Sequence, residues 1–178
     1  MMFQRASFIL FLSAAACTSM KAQDARVVTR IVTDTVPAWK TWKSGVGTMN
    51  FPGSWTVAGP SGDTAAIFTK AAGAGPGMAP TVSLVVEPIP AKAGSSSLPQ
   101  GKGFHLISST PPDGSGAFFM EYTVDGSSGT IHHKKEVRVI GGRTYSLAYA
   151  APQAVYEENL FLAEAMMKSF SVPPAPGK

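Results

Sequence analysis

The stretch AFFMEYTVDGSSGTIHHKKEVRVIGGRTYSLAYA, Ala117–Ala150, decides the fold. Phe118, Met120, Tyr122 and Val124 fall at alternate positions, the period of a strand with one apolar face. Asp125-Gly126-Ser127-Ser128-Gly129 reads as a hairpin-type connection. Thr130–Ile140 returns as a strand, with Ile131, His133, Lys135, Val137 and Val139 on one face. Its other face holds His132, Lys134, Glu136, Arg138 and Ile140. Gly141-Gly142 suits a two-residue primed turn, which needs positive φ at both central positions. Arg143–Ala150 follows, with Tyr145, Leu147 and Tyr149 alternating. Three strands in series predict an antiparallel meander. His133 and Lys135 share a face with valines, so either the first half of that strand leaves the core or a bulge shifts the register.

Downstream, Pro152 stands where a first helical residue is expected. Glu157 and Glu158 sit in the early turns, where negative charge complements the helix dipole. Tyr156, Leu160, Ala163 and Met167 form one stripe, widened by Val155, Leu162 and Met166. Glu164 and Lys168 are an i,i+4 pair on the outer side, and Pro173-Pro174 excludes continuation. Upstream, strands are expected over Gly47–Phe51, from Trp55, over Thr64–Lys70 with Ala66 and Phe68 on one face, and over Thr81–Glu87 with Val82, Leu84 and Val86 alternating. Residues 91–103 read as a Ser/Gly-rich loop before a short strand at Phe104–Ser108. The pattern predicts an α+β domain, an antiparallel sheet with a helix across one face.

Arg5, the apolar run Phe8–Leu12 and Ser13-Ala14-Ala15-Ala16 have the order of an export signal, and the run is too short to span a bilayer, which takes roughly 20 residues. Cys17, the only cysteine, follows directly, a placement that resembles a bacterial lipoprotein signal. Such signals carry Leu, Val or Ile three residues before the cysteine, where this chain has Ala14; the alternative is ordinary cleavage near Ala16 or Ala22. The division is therefore a signal peptide over 1–16, a tether over 17–44, the folded domain over 45–172 and a disordered Pro/Gly tail over 173–178. Within the tether, Val27, Val28, Ile31 and Val32 suit a helical face or a short strand equally. Trp39 and Trp42, three apart around Lys40, could dock on the domain or sit at a membrane interface.

Charge is unevenly placed. Residues 17–45 carry Lys21, Arg26, Arg30, Lys40 and Lys43 against Asp24 and Asp34, whereas residues 46–178 carry nine basic and nine acidic residues. A nucleic-acid reader puts its basic excess on the folded face, so nucleic acid is excluded as a partner and the tether is drawn instead to an anionic membrane surface.

No catalytic set is visible. His132 and His133 are neighbours on a strand and point to opposite faces, so they cannot share one metal, and zinc wants three or four ligands. No Gly-x-Ser-x-Gly elbow accompanies the serines. Ala72–Gly77 is Gly-rich but lacks the Lys-Ser/Thr of a phosphate-binding loop. Glu121 and Glu136 pair most simply with Lys134 and Lys135 across the hairpin as a solvated face. No metal and no cofactor is expected. The basic strip of His132, Lys134 and Arg138, with Arg143 across the hairpin, is the candidate binding surface; the plain alternative is one exposed face of a half-buried sheet.

The order of features then resembles a family. Phe51-Pro52-Gly53-Ser54-Trp55 opens the domain, a strand closes on Val86-Glu87-Pro88, and Gly116-Ala117-Phe118 leads to Tyr122. Gly142-Arg143-Thr144-Tyr145-Ser146-Leu147-Ala148-Tyr149 precedes a final helix from Tyr156-Glu157 to Ser169-Phe170. Over roughly residues 45–172 this resembles the PsbP-like/DcrB-like group, the fold of an extrinsic photosystem II subunit and of many bacterial envelope lipoproteins. The resemblance implies an αβα sandwich and roles in binding, assembly or chaperoning rather than catalysis. One departure is Ala93–Gly101, a poor helix where the family has one before the strand at Phe104. The resulting expectation is a non-catalytic lipoprotein on the periplasmic side of a bacterial envelope, anchored through Cys17 and bound to an envelope protein. The alternatives are a carrier of a small apolar ligand or lipid and a hydrolase with an unrecognised site.

Overall fold

The computed structural model describes residues 38–71, 78–88 and 101–173. Two strands, β1 (Trp39–Ser44) and β2 (Gly47–Pro52), form a separate antiparallel hairpin. Strand pairing thus begins at Trp39, inside the segment read from sequence as tether. The other strands are β3 (Trp55–Ala58), β4 (Thr64–Lys70), β5 (Thr81–Pro88), β6 (Phe104–Ser109), β7 (Phe118–Gly126), β8 (Gly129–Ile140) and β9 (Arg143–Pro152). They form one seven-stranded sheet in the order β3-β4-β5-β9-β8-β7-β6, with every neighbouring pair antiparallel. Helix α1 (Tyr156–Ser169) follows a short 3-10 turn, Gln153–Val155. The structure is therefore α+β, as the pattern of the second half predicts. The expected signal peptide, Cys17 and most of the expected loop over 91–103 lie outside the described residues.

The meander is seen as expected. Ile140 pairs with Arg143, and Gly141 and Gly142 have φ of 57° and 77°, the left-handed conformation a primed turn demands. Pro152 does not start the helix. It is the last residue of β9, opposite Ile131, where a missing N–H ends the ladder without breaking it. No bulge interrupts β8, whose register runs continuously against both neighbours. The shifts lie instead between Thr64 and Ala66 and between Leu106 and Ser108.

With β8 straight, both faces of the sheet are partly covered. On one face, Ala66, Phe68, Val82, Leu84, Tyr145, Leu147, Tyr149 and Ala151 pack with Met49, Phe51 and Trp55 against Tyr156, Ala163, Met166, Met167 and Phe170 of α1 and its exit. Cross-strand register puts His132, Lys134, Glu136 and Arg138 on this same side, opposite Ala151, Tyr149, Leu147 and Tyr145. On the reverse face, Phe118, Met120, Tyr122 and Val137 form a second cluster with Phe104 and Val124. His133 belongs there, its ring stacked on Tyr122 at 4.7 Å. The hairpin lies beside α1 on the helix side: Thr48 and Ser171 exchange backbone hydrogen bonds of 2.9 and 3.0 Å, and Ser169 Oγ accepts from Asn50 N. Gly47 sits at this junction because a Cβ there would meet Ser171 O at 2.8 Å. Trp42 docks edge-on against Phe68 at 5.9 Å, while Trp39 stays 40 % exposed.

Candidate functional site

The polar side chains of the helix side converge where β7 and β8 pass beneath α1. Alternation places Glu121 of β7 opposite Lys134 and one step from His132, all facing the helix. Glu121 Oε1 lies 2.9 Å from His132 Nε2 and accepts from the Tyr156 hydroxyl at 2.9 Å. A carboxylate only accepts, which assigns the imidazole proton to Nε2. The His132 and Tyr156 rings are stacked 3.5 Å apart, and the Tyr149 hydroxyl donates to the Tyr156 carbonyl at 2.9 Å. Burial, then the hydrogen bond to Glu121, holds the Tyr156 phenol far above the usual tyrosine range. Tyr149 is raised as well, first by burial and then by the charges of Glu157 and Glu158.

Three of the four residues of the basic strip have internal partners. His132 is 6 % exposed, under the helix. Lys134 pairs with Glu164 of α1 and lies over the Phe119 ring at 5.3 Å. The hydrogen bond from Lys134 holds the Glu164 carboxyl below its ordinary value. Arg138 grips Glu136 through Nε at 2.7 Å and Nη2 at 3.1 Å, and donates to the carbonyls of Met167 (3.0 Å) and Phe170 (3.2 Å). Those carbonyls are at the C-terminus of α1, where a cation is favoured. Arg143 alone is exposed, at the end of the β8–β9 hairpin beside Glu87 and Pro88. The strip is thus a set of fastenings for the helix. The expected solvated pairing of Glu121 and Glu136 with lysines is replaced by His132, Tyr156 and Arg138.

Sequence reasoning missed Glu121, Tyr156 and Asn159 as partners. The available signal was Asn159, a polar residue inside the apolar stripe of the helix. It is 1 % exposed, donates to Val155 O and accepts from Lys70 Nζ at 2.8 Å.

This arrangement ties the start of α1 to the sheet. Tyr156 is fully buried, and among the described residues the His132 Nδ1 has no hydrogen-bond partner. Among the described residues no three metal-ligating side chains gather. The core between sheet and helix is filled by Met49, Phe68, Leu147, Tyr149 and Met166, each fully buried, and the groove of about 270 Å³ at its margin is open to solvent between Phe119, Lys134 and Glu136 of the sheet and Glu164, Met167 and Lys168 of the helix.

The open ground is the sheet edge at β6. Among the described residues Phe104–Ser109 pairs only with β7, and Leu106 and Ile107 are 45 % and 55 % exposed. Gly103 O accepts from Asp125 N at 2.9 Å, so by the alternation of antiparallel ladders Leu106 turns its N–H and C=O outward. No Lys, Arg, Asp, Glu or Pro stands on the strand. Its one protective device is the bulge that leaves Ile107 as the extra residue.

The fold has counterparts among solved structures. The solution structure of cyanobacterial PsbP (CyanoP) from Synechocystis sp. PCC 6803 matches with a TM-score of 0.55, covering 79% of this chain and 96% of that one at 14% identity. The chain has a PsbP-like fold. A second match is LpqN, described as involved in cell envelope biogenesis of Mycobacterium tuberculosis, with a TM-score of 0.50, 16% identity and coverage of 79% and 94%. At these identities the likeness is one of fold. No protein-family model matches the sequence, and no curated protein matches it.

Proposed function

We propose that this PsbP-like domain is a non-catalytic accessory module of the bacterial cell envelope, anchored through Cys17, that binds another envelope protein along the free edge of β6. The edge carries the reading: a strand without Lys, Arg, Asp or Glu, with exposed Leu106 and Ile107 and outward backbone groups, accepts an extended segment of a partner as an added strand. The bulge at Ile107 keeps the receptive stretch short, which admits a specific segment and discourages indiscriminate edge-to-edge pairing. The export signal and the likeness to LpqN support the envelope setting. The filled core between sheet and helix argues against the carrier, and the burial of His132 and Tyr156 against the hydrolase.

The test is a photo-crosslinking amino acid at Ile107 in the full-length chain within its own envelope, compared with the same probe at Thr56 on the opposite edge. One recurrent protein is expected from position 107, not from 56, and Leu106→Lys in the 107-probe chain is expected to abolish the crosslink. Equal yields from both edges, or capture of a second copy of this chain alone, would overturn the proposal.

A further inference from the structure

The hairpin β1–β2 divides its two tryptophans between two environments. Trp42 is spent on the core, edge-on to Phe68, while Trp39 at the start of β1 is 40 % exposed. Lys40 and Lys43 flank them and are exposed. The hairpin, residues 39–52, contains no acidic residue. Thr41 and Asn50 define its outward side, hydrogen-bonded to each other at 2.9 Å, and by alternation Trp39 and Lys43 lie on that side too, whereas Lys40, opposite Phe51, turns to the other side, where its Nζ donates to Gly53 O at 3.3 Å. The inward side is already closed by Met49 and Phe51 in the core.

An exposed indole beside lysines, with no counter-charge, matches the chemistry of a phospholipid headgroup layer. Indoles settle at the interface between water and acyl chains, and lysines are drawn to anionic headgroups. The preceding segment adds Lys21, Arg26 and Arg30 against Asp24 and Asp34, so the positive excess continues toward Cys17. Trp39 follows Cys17 by 22 residues. Even at full extension that segment reaches no more than about 75 Å, so an anchor there keeps the hairpin close to the bilayer at high effective concentration. The remainder of the chain, residues 46–178, is neutral and supplies no competing attraction.

We infer that Trp39 and Lys43, with the positive charge of the neighbouring Lys40 behind them, form a membrane-contact surface for anionic phospholipid, which orients the domain on the bilayer. The inference rests on the reading of Cys17 as the anchor for its proximity argument, but the contact itself belongs to the hairpin. With the hairpin toward the membrane, β6 lies at a different place on the fold, in a different sheet, and stays available to a protein partner.

The test uses the mature protein purified from membranes and reconstituted into vesicles of phosphatidylcholine mixed with phosphatidylglycerol whose acyl chains carry bromine. Bromine quenches an indole that reaches the interface. The expected result is partial quenching, up to the share of one tryptophan in three, that disappears in Trp39→Phe. In phosphatidylcholine alone, at high salt or in the Lys40→Glu/Lys43→Glu double variant, the quenching is expected to fall several-fold. Protein that floats with the vesicles but shows no Trp39-dependent quenching would overturn the inference and leave the anchor standing. Protein that neither floats nor is quenched would overturn both. Undiminished quenching in the double lysine variant would overturn the electrostatic selection of anionic lipid.

Discussion

Glu121→Ala tests the account of the helix fastening most directly. One carboxylate oxygen accepts from two groups in the interface, the Tyr156 hydroxyl and His132 Nε2, both at 2.9 Å. Tyr156 is fully buried and His132 is 6 % exposed, so neither donor recovers water freely when the carboxylate is removed. A buried donor left unpaired costs about 1–3 kcal/mol. Two such donors, with some relief if water enters the vacated space, give an expected loss of about 2–4 kcal/mol. Glu121→Gln keeps the shape and one acceptor oxygen and is expected to lose about half as much. Tyr156→Phe removes one donor together with its need for a partner and is expected to cost about 1 kcal/mol. The two sites share one interaction, so Glu121→Ala should cost about 1 kcal/mol less in the Tyr156→Phe background than alone. Urea unfolding followed by fluorescence at neutral pH reads these values, with the midpoint shifting by about 1–2 M at unchanged slope for the alanine variant. A Glu121→Ala midpoint within about 0.3 M of the parent would refute the reasoning, as would strict additivity in the cycle.

Arg138→Gln should destabilise by about 1.5–3 kcal/mol in the same urea assay, because the guanidinium joins Glu136 to the last carbonyls of α1; Phe161→Ala, at a residue 77 % exposed, should stay within about 0.5 kcal/mol. Gly47→Ala should lower the melting temperature, since the new Cβ would press on Ser171 O and the Phe170 ring at the hairpin–helix junction. Burial, then the neighbouring His132, lowers His133 below its ordinary 6.5, so the unfolded chain takes up that proton first as pH falls. Stability should therefore be full above 6.5 and decline as pH drops from there toward the depressed folded value; His133→Phe should flatten this part of the profile, as equilibrium unfolding against pH will show.

The candidate edge and the helix fastening differ in how far the sequence exposes them. Leu106 and Ile107 stand in a stretch recognisable as a strand, yet nothing local says that this strand ends a sheet. Edge position follows from the order β5-β9-β8-β7-β6, in which consecutive strands β5 and β6 end up four places apart. The fastening was hidden for a different reason. Phe118, Met120, Tyr122 and Val124 mark an apolar face on β7, and the usual inference sends the opposite face, with Glu121, to solvent. The apolar face gathers Phe118, Met120, Tyr122 and Val137 into a cluster of its own, and the polar face of β7 and β8 meets Tyr156, Glu164 and the end of α1.

By itself the sequence determined the local features: the alternation of β7, β8 and β9, the Gly141-Gly142 turn, the stripe and acidic start of α1, and the strands at Thr64–Lys70 and Thr81–Glu87. Each depends on residues a few positions apart, through backbone dihedrals, side-chain period and turn chemistry. Only the tertiary structure decided which face of β8 lies beneath the helix, that Trp42 docks while Trp39 stays exposed, and that His132, Lys134 and Arg138 bind within the molecule. Those outcomes depend on contacts between residues roughly 20 to 40 positions apart or more, such as Lys134 with Glu164 and Arg138 with Met167. A period of two names both faces of a strand, but the partner that covers a face is chosen by packing between distant segments.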